Sequence, residues 1–256
     1  ARLDRALAAH RLTRSDFRHP ALATVDLAGR DVLGAHAVGK HLFLRFSGGV
    51  SLHSHLRMDG SWRVYAPGER WRAPARQARV VLDTATAQAV GFHVHELRLV
   101  PTDRESSLVG HLGPDLLAGD WSTGHADRAA RALRARPDDE IGTALLDQRI
   151  MAGLGNVYRT EMCFLLGVSP WTPVSEVDAD RVVALARRLL TANVTHARRS
   201  TTGEHTPGRR TWVHERERSG CLRCGGRVRT AEQGSGTRAR RTWFCPRCQP
   251  GPAPAP

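Results

Sequence analysis

The sequence predicts an α+β chain of several domains, in which a β-sandwich flanked by helices precedes a helical domain and a small cysteine-rich hairpin. Three observations predict this. Residues 24–100 alternate apolar and polar side chains, as in KHLFLRF and ARVVLDT, which is typical of strands. From Ala126 onward the apolar residues recur at helical spacing. Cysteines then cluster between Cys221 and Cys248.

The same changes of pattern set the predicted domain limits. The stretch HLGPDLLAGDWSTG is rich in glycine and loop-forming residues, and PGPAPAP at the end has nothing to bury. We therefore expect a sandwich domain at residues 1–117, a linker at 118–125, a helical domain at 126–215, a hairpin unit at 216–249 and a disordered tail at 250–256.

The chain is strongly basic, with a formal net charge of +13 over 256 residues. Such an excess favours a polyanionic partner, although a merely soluble basic surface is the alternative. The sequence has no run of ~20 apolar residues that could span a bilayer, and its start has no signal-peptide pattern. We therefore expect a cytoplasmic monomer with no membrane partner.

Lys40 is the only lysine among the 38 basic residues of the chain. Arginine and lysine differ wherever a compact charge, a narrow fit or an unprotonated amine is needed. Lys40 is therefore a candidate functional residue, although survival by chance is the alternative.

The cysteines follow the spacing C-x2-C-x20-C-x2-C, and they are Cys221, Cys224, Cys245 and Cys248. Two such knuckles on a hairpin present four sulfurs to one tetrahedral zinc ion. A unit of this size has too little core to fold alone, so we expect one structural Zn²⁺ to stabilise it. Two disulfides or redox motifs are the alternatives, and a reducing compartment and the absence of a βαβ pattern disfavour them.

The segment LLDQRIMAGLGNVYRTE places a glycine-containing turn before a new helix that starts near Asn156. Glycines let the backbone approach a ligand, and the free amides of a helix start favour an anion. Asn156 would cap this helix or donate to a phosphate. An ordinary helical hairpin is the alternative.

Two histidine pairs, His53 with His55 and His93 with His95, each lie at strand spacing on one face. A second metal site would use such a pair, but no nearby carboxylate completes either one. We therefore expect packing or surface histidines here.

Taken together, these segments resemble the formamidopyrimidine-DNA glycosylase and endonuclease VIII family. LLDQRIMAGLGNVYRTE resembles its helix-two-turn-helix motif, the segment from CLRC to CPRCQ its zinc finger, and VGKHLFLRF with HSHLRMDGSW its N-terminal sandwich. The resemblance implies a base-excision repair DNA glycosylase that flips an oxidised base out of damaged duplex DNA. It also implies abasic-site lyase activity by β,δ-elimination.

The resemblance also assigns roles to individual residues. It implies that Lys40, Asn156 and Arg240 contact DNA phosphates, with Lys40 and Arg240 supporting catalysis. It implies that Met58 fills the gap left by the flipped base, as a wedge side chain does.

The start of the sequence departs from the family, whose nucleophile is an N-terminal proline followed by a glutamate acid. We expect the sequence as given to be a fragment that lacks both groups and is inactive for that reason. The segment RRSTTGEHTPGRRTWVHERERSG is short and lacks GGSTLRD, which indicates an endonuclease VIII-like enzyme for oxidised pyrimidines and abasic sites. The alternative is a non-catalytic damaged-DNA-binding protein of the same fold.

Overall fold

The computed structural model describes residues 2–57, 59–196, 198–236 and 239–254, so Met58 lies outside the described residues. The chain divides into two compact units, Ala1–His111 and Leu112–Pro256. The first unit contains the strands, and the second contains most of the helices together with the hairpin.

The first unit begins with helix α1 (Arg2–Leu7) and continues into two four-stranded antiparallel sheets. One sheet has the order β1-β6-β7-β5 and the other has the order β2-β3-β4-β8. The strands are β1 (Leu12–Phe17), β2 (Val32–Val38), β3 (His41–Phe46), β4 (Val50–His55), β5 (Ser61–Tyr65), β6 (Ala78–Thr84), β7 (Gln88–Phe92) and β8 (Glu96–Pro101). Helix α2 (Glu105–Val109) follows the last strand.

The core of this unit lies between the two sheets. Phe46 and Leu52 from one sheet and Val80 and Leu82 from the other belong to the same buried cluster, which Leu7 of α1 also joins. The alternation of apolar and polar residues in the sequence therefore gives each sheet one apolar face, and these two faces pack against each other. The predicted sandwich flanked by helices is confirmed.

The second unit packs its helices around one apolar cluster. The helices are α3 (Thr123–Arg134), α4 (Ile141–Ala144), α5 (Asn156–Leu166) and α6 (Ala179–Asn193). Helix α6 is capped at its start by Asp178, whose carboxylate accepts hydrogen bonds from the amides of Asp180 and Arg181. A short acidic side chain forms such an N-terminal cap readily.

A hairpin of β9 (Arg229–Gln233) and β10 (Arg240–Phe244) completes the second unit. The sandwich domain was predicted to extend to residue 117, but Leu116 is buried in the helical core and its amide donates to the carbonyl of Ala152 at 3.2 Å. The boundary between the two units lies between His111 and Leu112, and Trp121 of the predicted linker 118–125 packs against the helical core.

The C-terminal segment is held against the same unit. Ser169 donates its amide to the carbonyl of Pro250 at 3.2 Å and its hydroxyl to the carbonyl of Pro252 at 2.6 Å. This differs from the expected disordered tail, because proline carbonyls still accept hydrogen bonds where a neighbour supplies donors.

Among the described residues, no helix combines the length and the apolar character needed to cross a membrane.

Candidate nucleic-acid interface and zinc centre

The four cysteine sulfurs of the hairpin unit converge on one point. The Sγ atoms of Cys221 and Cys248 are 3.9 Å apart, and those of Cys224 and Cys245 are 3.6 Å apart. All four sulfurs lie within 4.8 Å of one another. A tetrahedral zinc ion with bonds of about 2.3 Å places its ligands about 3.8 Å apart, so the residues fit this metal.

Gly226 supports this cluster from the backbone. Its amide donates to the Sγ of Cys224 at 3.4 Å, and a side chain at this position would start 3.2 Å from that sulfur. Amide donors to the sulfur stabilise the thiolate that binds zinc. The four predicted metal ligands therefore lie together, and a backbone amide donates a hydrogen bond to one of them.

Arg159 of α5 ties the hairpin to the helices. Its guanidinium is fully buried and donates to the Oε1 of Gln233 at 3.1 Å, to the hydroxyl of Thr242 and to the carbonyl of Arg241 at 3.3 Å. Burial lowers the pKa of Arg159 to about 10, which leaves it charged at neutral pH. Sequence reasoning missed this residue, although it lies one helical turn after Asn156.

Asn156 takes part in the same contact between α5 and the hairpin, which we call the joint. It is the first residue of α5, and Gly155 rather than Asn156 occupies the capping position. Its Nδ2 donates to the carbonyl of Arg241 at 2.9 Å, while its Oδ1 is buried with no hydrogen-bond partner among the described residues. Of the two roles that the sequence left open for Asn156, the helix cap is therefore excluded, because the side chain turns toward the hairpin.

Gln148 shapes the turn that leads into α5. Its Nε2 donates to the carbonyls of Leu146 and Leu154, both at 3.0 Å, and its Oε1 accepts from the amide of Gly153 at 3.0 Å. Gly153 has a φ of +114°, which a residue with a side chain rarely adopts. One glutamine side chain therefore replaces the backbone hydrogen bonds that a regular helix would have made here.

Arg240 is the first residue of β10, where it pairs with Gln233. The residue is exposed, and its Nη1 donates to the carbonyl of Ala239 at 2.7 Å. Its charge also contributes to the lowered pKa of Arg159, after the larger effect of burial. The structure thus brings two of the predicted phosphate ligands, Asn156 and Arg240, to one hydrogen-bonded joint.

Glu161 fixes the segment that precedes the first zinc knuckle. This buried carboxylate accepts from the amides of Trp212 at 2.6 Å and of Val213 and His214, both at 2.9 Å, and from the hydroxyl of Thr201. Glu161 lies two residues after Arg159, which places the two side chains on opposite sides of α5, so the helix binds two different parts of the C-terminal region. An acidic residue in an apolar helix segment was the only available signal for it.

Lys40 belongs to the first unit. It is exposed in the two-residue connection between β2 and β3, after Gly39, whose φ is +58°. A glycine at this place lets two strands reverse direction tightly. The ammonium group is therefore presented at the end of the sandwich on a short, well-defined turn.

Histidines surround the base of this turn. The Nδ1 of His41 lies 2.8 Å from the Nε2 of His53, and the rings of His41 and His55 are in edge contact with centroids 5.1 Å apart. Burial and the neighbouring imidazoles lower the pKa of His41 to about 4. The charge of Lys40 also acts to lower the pKa of His55, after the larger effect of burial. These histidines are therefore neutral packing partners, as expected for His53 and His55.

Comparison with known proteins relates both units to DNA glycosylases. The family profile described as "Formamidopyrimidine-DNA glycosylase N-terminal domain" matches residues 2–99. The profile described as "Formamidopyrimidine-DNA glycosylase H2TH domain" matches residues 112–202.

Curated relatives match along nearly the whole chain. The protein named "Probable endonuclease 8 2" of Streptomyces coelicolor is 54% identical over 100% of this chain and 92% of its own length. The "DNA-(apurinic or apyrimidinic site) lyase Nei2" of Mycolicibacterium smegmatis is 44% identical over 97% of this chain and 94% of its own length.

Solved structures show the same fold. The Lactococcus lactis glycosylase, determined in complex with DNA containing an abasic site, superimposes with a TM-score of 0.78 at 21% identity. The match covers 98% of this chain and 96% of that one. At this identity the likeness supports the fold alone.

Proposed function

Since the chain belongs to the formamidopyrimidine-DNA glycosylase and endonuclease VIII family, we propose that it is a base-excision repair DNA glycosylase with abasic-site lyase activity. Its substrates are abasic sites and oxidised bases, chiefly pyrimidines, in duplex DNA. The endonuclease 8 names of the relatives at 54% and 44% identity support this branch of the family. The protein works as a monomer in the bacterial cytoplasm, where that DNA is found.

One observation carries the proposal, the joint between α5 and the hairpin. Asn156 donates to the carbonyl of Arg241, and Arg240 is the neighbouring residue on the same strand. A guanidinium grips phosphate oxygens through two parallel hydrogen bonds, and an amide adds a further donor. Fixing both groups on one joint sets the spacing at which they meet successive phosphates of the backbone.

The zinc site supports the same role. Cys221, Cys224, Cys245 and Cys248 hold one structural Zn²⁺, which fixes the two ends of the hairpin relative to each other. Arg240 then projects from a strand that cannot slide in register, because both flanking knuckles are bound to the metal. In the first unit, Lys40 supplies a compact positive charge for another phosphate beside the lesion.

The lyase step needs an amine that bonds to C1′ of the sugar as the base leaves, and the resulting iminium accepts electrons during elimination. The family resemblance assigns that amine to an N-terminal proline and the proton donor to the glutamate after it. Neither residue is at the start of the printed sequence. Lys40 and Arg240 are positioning residues in this scheme, since they hold the nucleotide that reacts.

Borohydride trapping tests the proposal. The product of the complete reading frame and the chain starting at Ala1 are each incubated with duplex DNA containing an abasic site, and borohydride then reduces any iminium. We expect a covalent adduct with the product of the complete reading frame. If no adduct forms with abasic or oxidised-pyrimidine duplexes while binding persists, the protein is a non-catalytic damaged-DNA-binding protein.

A second experiment tests Arg240. Arg240→Ala is compared with Arg229→Ala, which removes the same charge from an exposed residue at the zinc end of the hairpin. We expect Arg240→Ala to weaken binding to lesion DNA by about 1.5–3 kcal/mol, in line with one charge-assisted contact. Equal effects of the two substitutions would mean that Arg240 adds only to the general positive charge and makes no specific contact with a phosphate.

A further inference from the structure

Two connections between the sheets meet at one end of the sandwich. Residues 56–60 lead from β4 to β5, and residues 93–95 lead from β7 to β8, so each connection crosses from one sheet to the other. Asp59 Oδ2 lies 3.6 Å from His93 Nδ1 and 3.7 Å from His95 Nε2. The structure therefore supplies the carboxylate that the sequence did not reveal beside this histidine pair.

We propose that Asp59, His93 and His95 bind a divalent transition metal ion of the zinc, nickel or copper class. Their ligand atoms all lie within 4.8 Å of one another. With bonds of about 2.1 Å, a tetrahedral ion places its ligands about 3.4 Å apart, so each distance between the carboxylate and an imidazole must shorten by only a few tenths of an ångström. The two imidazole nitrogens, which lie within 4.8 Å of each other, must approach by at most about 1.4 Å. Imidazole and carboxylate donors suit these metals and leave one position for water.

The side chains can make that adjustment without disturbing the core. Asp59 and His95 are 57% and 54% exposed, and His93 is 33% exposed. Rotation of surface side chains costs little packing energy, whereas the same movement inside the sandwich would open a cavity. The site is therefore reachable by an ion from solvent and adaptable in its coordination.

The backbone that presents these side chains is fixed in an unusual conformation. His93 and Arg57 both have a φ of +52°, which residues other than glycine seldom adopt. The amide of His93 donates to the carbonyl of Gln77 at 2.9 Å. Arg57 Nε donates to Glu96 at 3.0 Å, which links the first connection to the start of β8 beside the cluster. The backbone at His93 is thus held in place, so binding a metal requires the ordering of side chains alone.

This site differs chemically from the cysteine centre. Its nitrogen and oxygen donors favour nickel and copper as well as zinc, whereas four thiolates favour zinc. A bound ion would cross-link residue 59 to residues 93 and 95, and so would restrain both crossings between the sheets.

The experiment uses tag-free protein with its cysteine centre loaded with zinc, titrated with Ni²⁺ by calorimetry in a non-coordinating buffer. We expect one additional equivalent of Ni²⁺ to bind while the zinc content stays unchanged. Its absorption should show weak bands typical of nitrogen and oxygen ligands and no thiolate charge-transfer bands. Asp59→Asn, His95→Ala and His93→Asn should each weaken this binding at least ten-fold, and asparagine tolerates the left-handed backbone at residue 93.

The matched control is the double substitution His10→Ala with His205→Ala, which removes two histidines outside the cluster and should leave Ni²⁺ binding unchanged. Asp59→Asn is a surface change of equal size, so loss of binding in this variant does not reflect unfolding. The proposal is overturned if no Ni²⁺ binds at millimolar concentration, or if the cluster variants bind it as tightly as the unsubstituted protein.

Discussion

Replacing Glu161 with glutamine tests how the C-terminal region is attached to the helical unit. The carboxylate accepts four hydrogen bonds, two on each oxygen, from Thr201, Trp212, Val213 and His214. In a glutamine the NH₂ group must replace one acceptor. In the arrangement of lowest energy the NH₂ group points toward Thr201, whose hydroxyl can accept a hydrogen bond. The amide of Trp212 then faces the NH₂ group and has lost its acceptor.

The cost can be worked out from these contacts. One charge-assisted hydrogen bond is worth about 1.5–3 kcal/mol, and a buried amide left without an acceptor costs about 1–3 kcal/mol. Because these two effects overlap, we expect Glu161→Gln to lower the free energy of unfolding by about 3 kcal/mol. For a chain of this size that corresponds to a fall in Tm of roughly 10 °C.

Urea unfolding of the zinc-loaded protein measures this loss, and hydrogen exchange locates it. The amides of residues 212–214 should lose protection while those in the sandwich keep theirs. Glu176→Gln, at an exposed position of the same unit, is the matched control and should change stability by at most ~0.5 kcal/mol. If Glu161→Gln is as stable as this control, the carboxylate does not hold the segment and the reasoning fails.

Three further predictions concern the metal, the pH and the lone lysine. Removing zinc with excess chelator should unfold the hairpin and shift the fluorescence of the buried Trp243, and an unchanged spectrum after complete zinc loss would contradict a structural role. Between pH 6.5 and 4 the unfolded state binds a proton that native His41 does not. The free energy of unfolding should therefore decrease by up to ~3 kcal/mol as the pH is lowered through this range. His41→Gln should flatten that dependence in urea titrations at pH 7 and 4.5, and an identical slope would assign the loss to other groups. Lys40→Arg in the product of the complete reading frame should slow cleavage of abasic DNA, because guanidinium is bulkier and differently hydrated, and a wild-type rate would remove the special role of the amine.

Local spacing predicted the parts of the site that depend on neighbours in the chain. The cysteine pairs and the start of α5 near Asn156 were both recognisable, because each is defined within a few residues. The family resemblance and its endonuclease VIII branch are likewise confirmed by the relatives.

Long-range partners could not be predicted from spacing. Arg159 finds its acceptor Gln233 across 74 residues, and Glu161 finds Val213 across 52. Nothing local in the sequence indicates which buried charge meets which distant amide, since many pairings satisfy the same composition. The cap, one of two roles left open for Asn156, is not formed for the same reason, because the partner of its side chain lies 85 residues away. Asp59 likewise reaches the histidine pair only through the folding of two separate connections.

The buried joint at Arg159 also has an evolutionary consequence. Its guanidinium shares Gln233 with Thr242, while Gly142 lies so close to Gln233 that any side chain there would collide with the amide. A substitution at one of these positions leaves a donor unmatched or a space overfilled at another. In related sequences the four positions should therefore change together, as a covarying group that links α4 and α5 to the two strands of the hairpin.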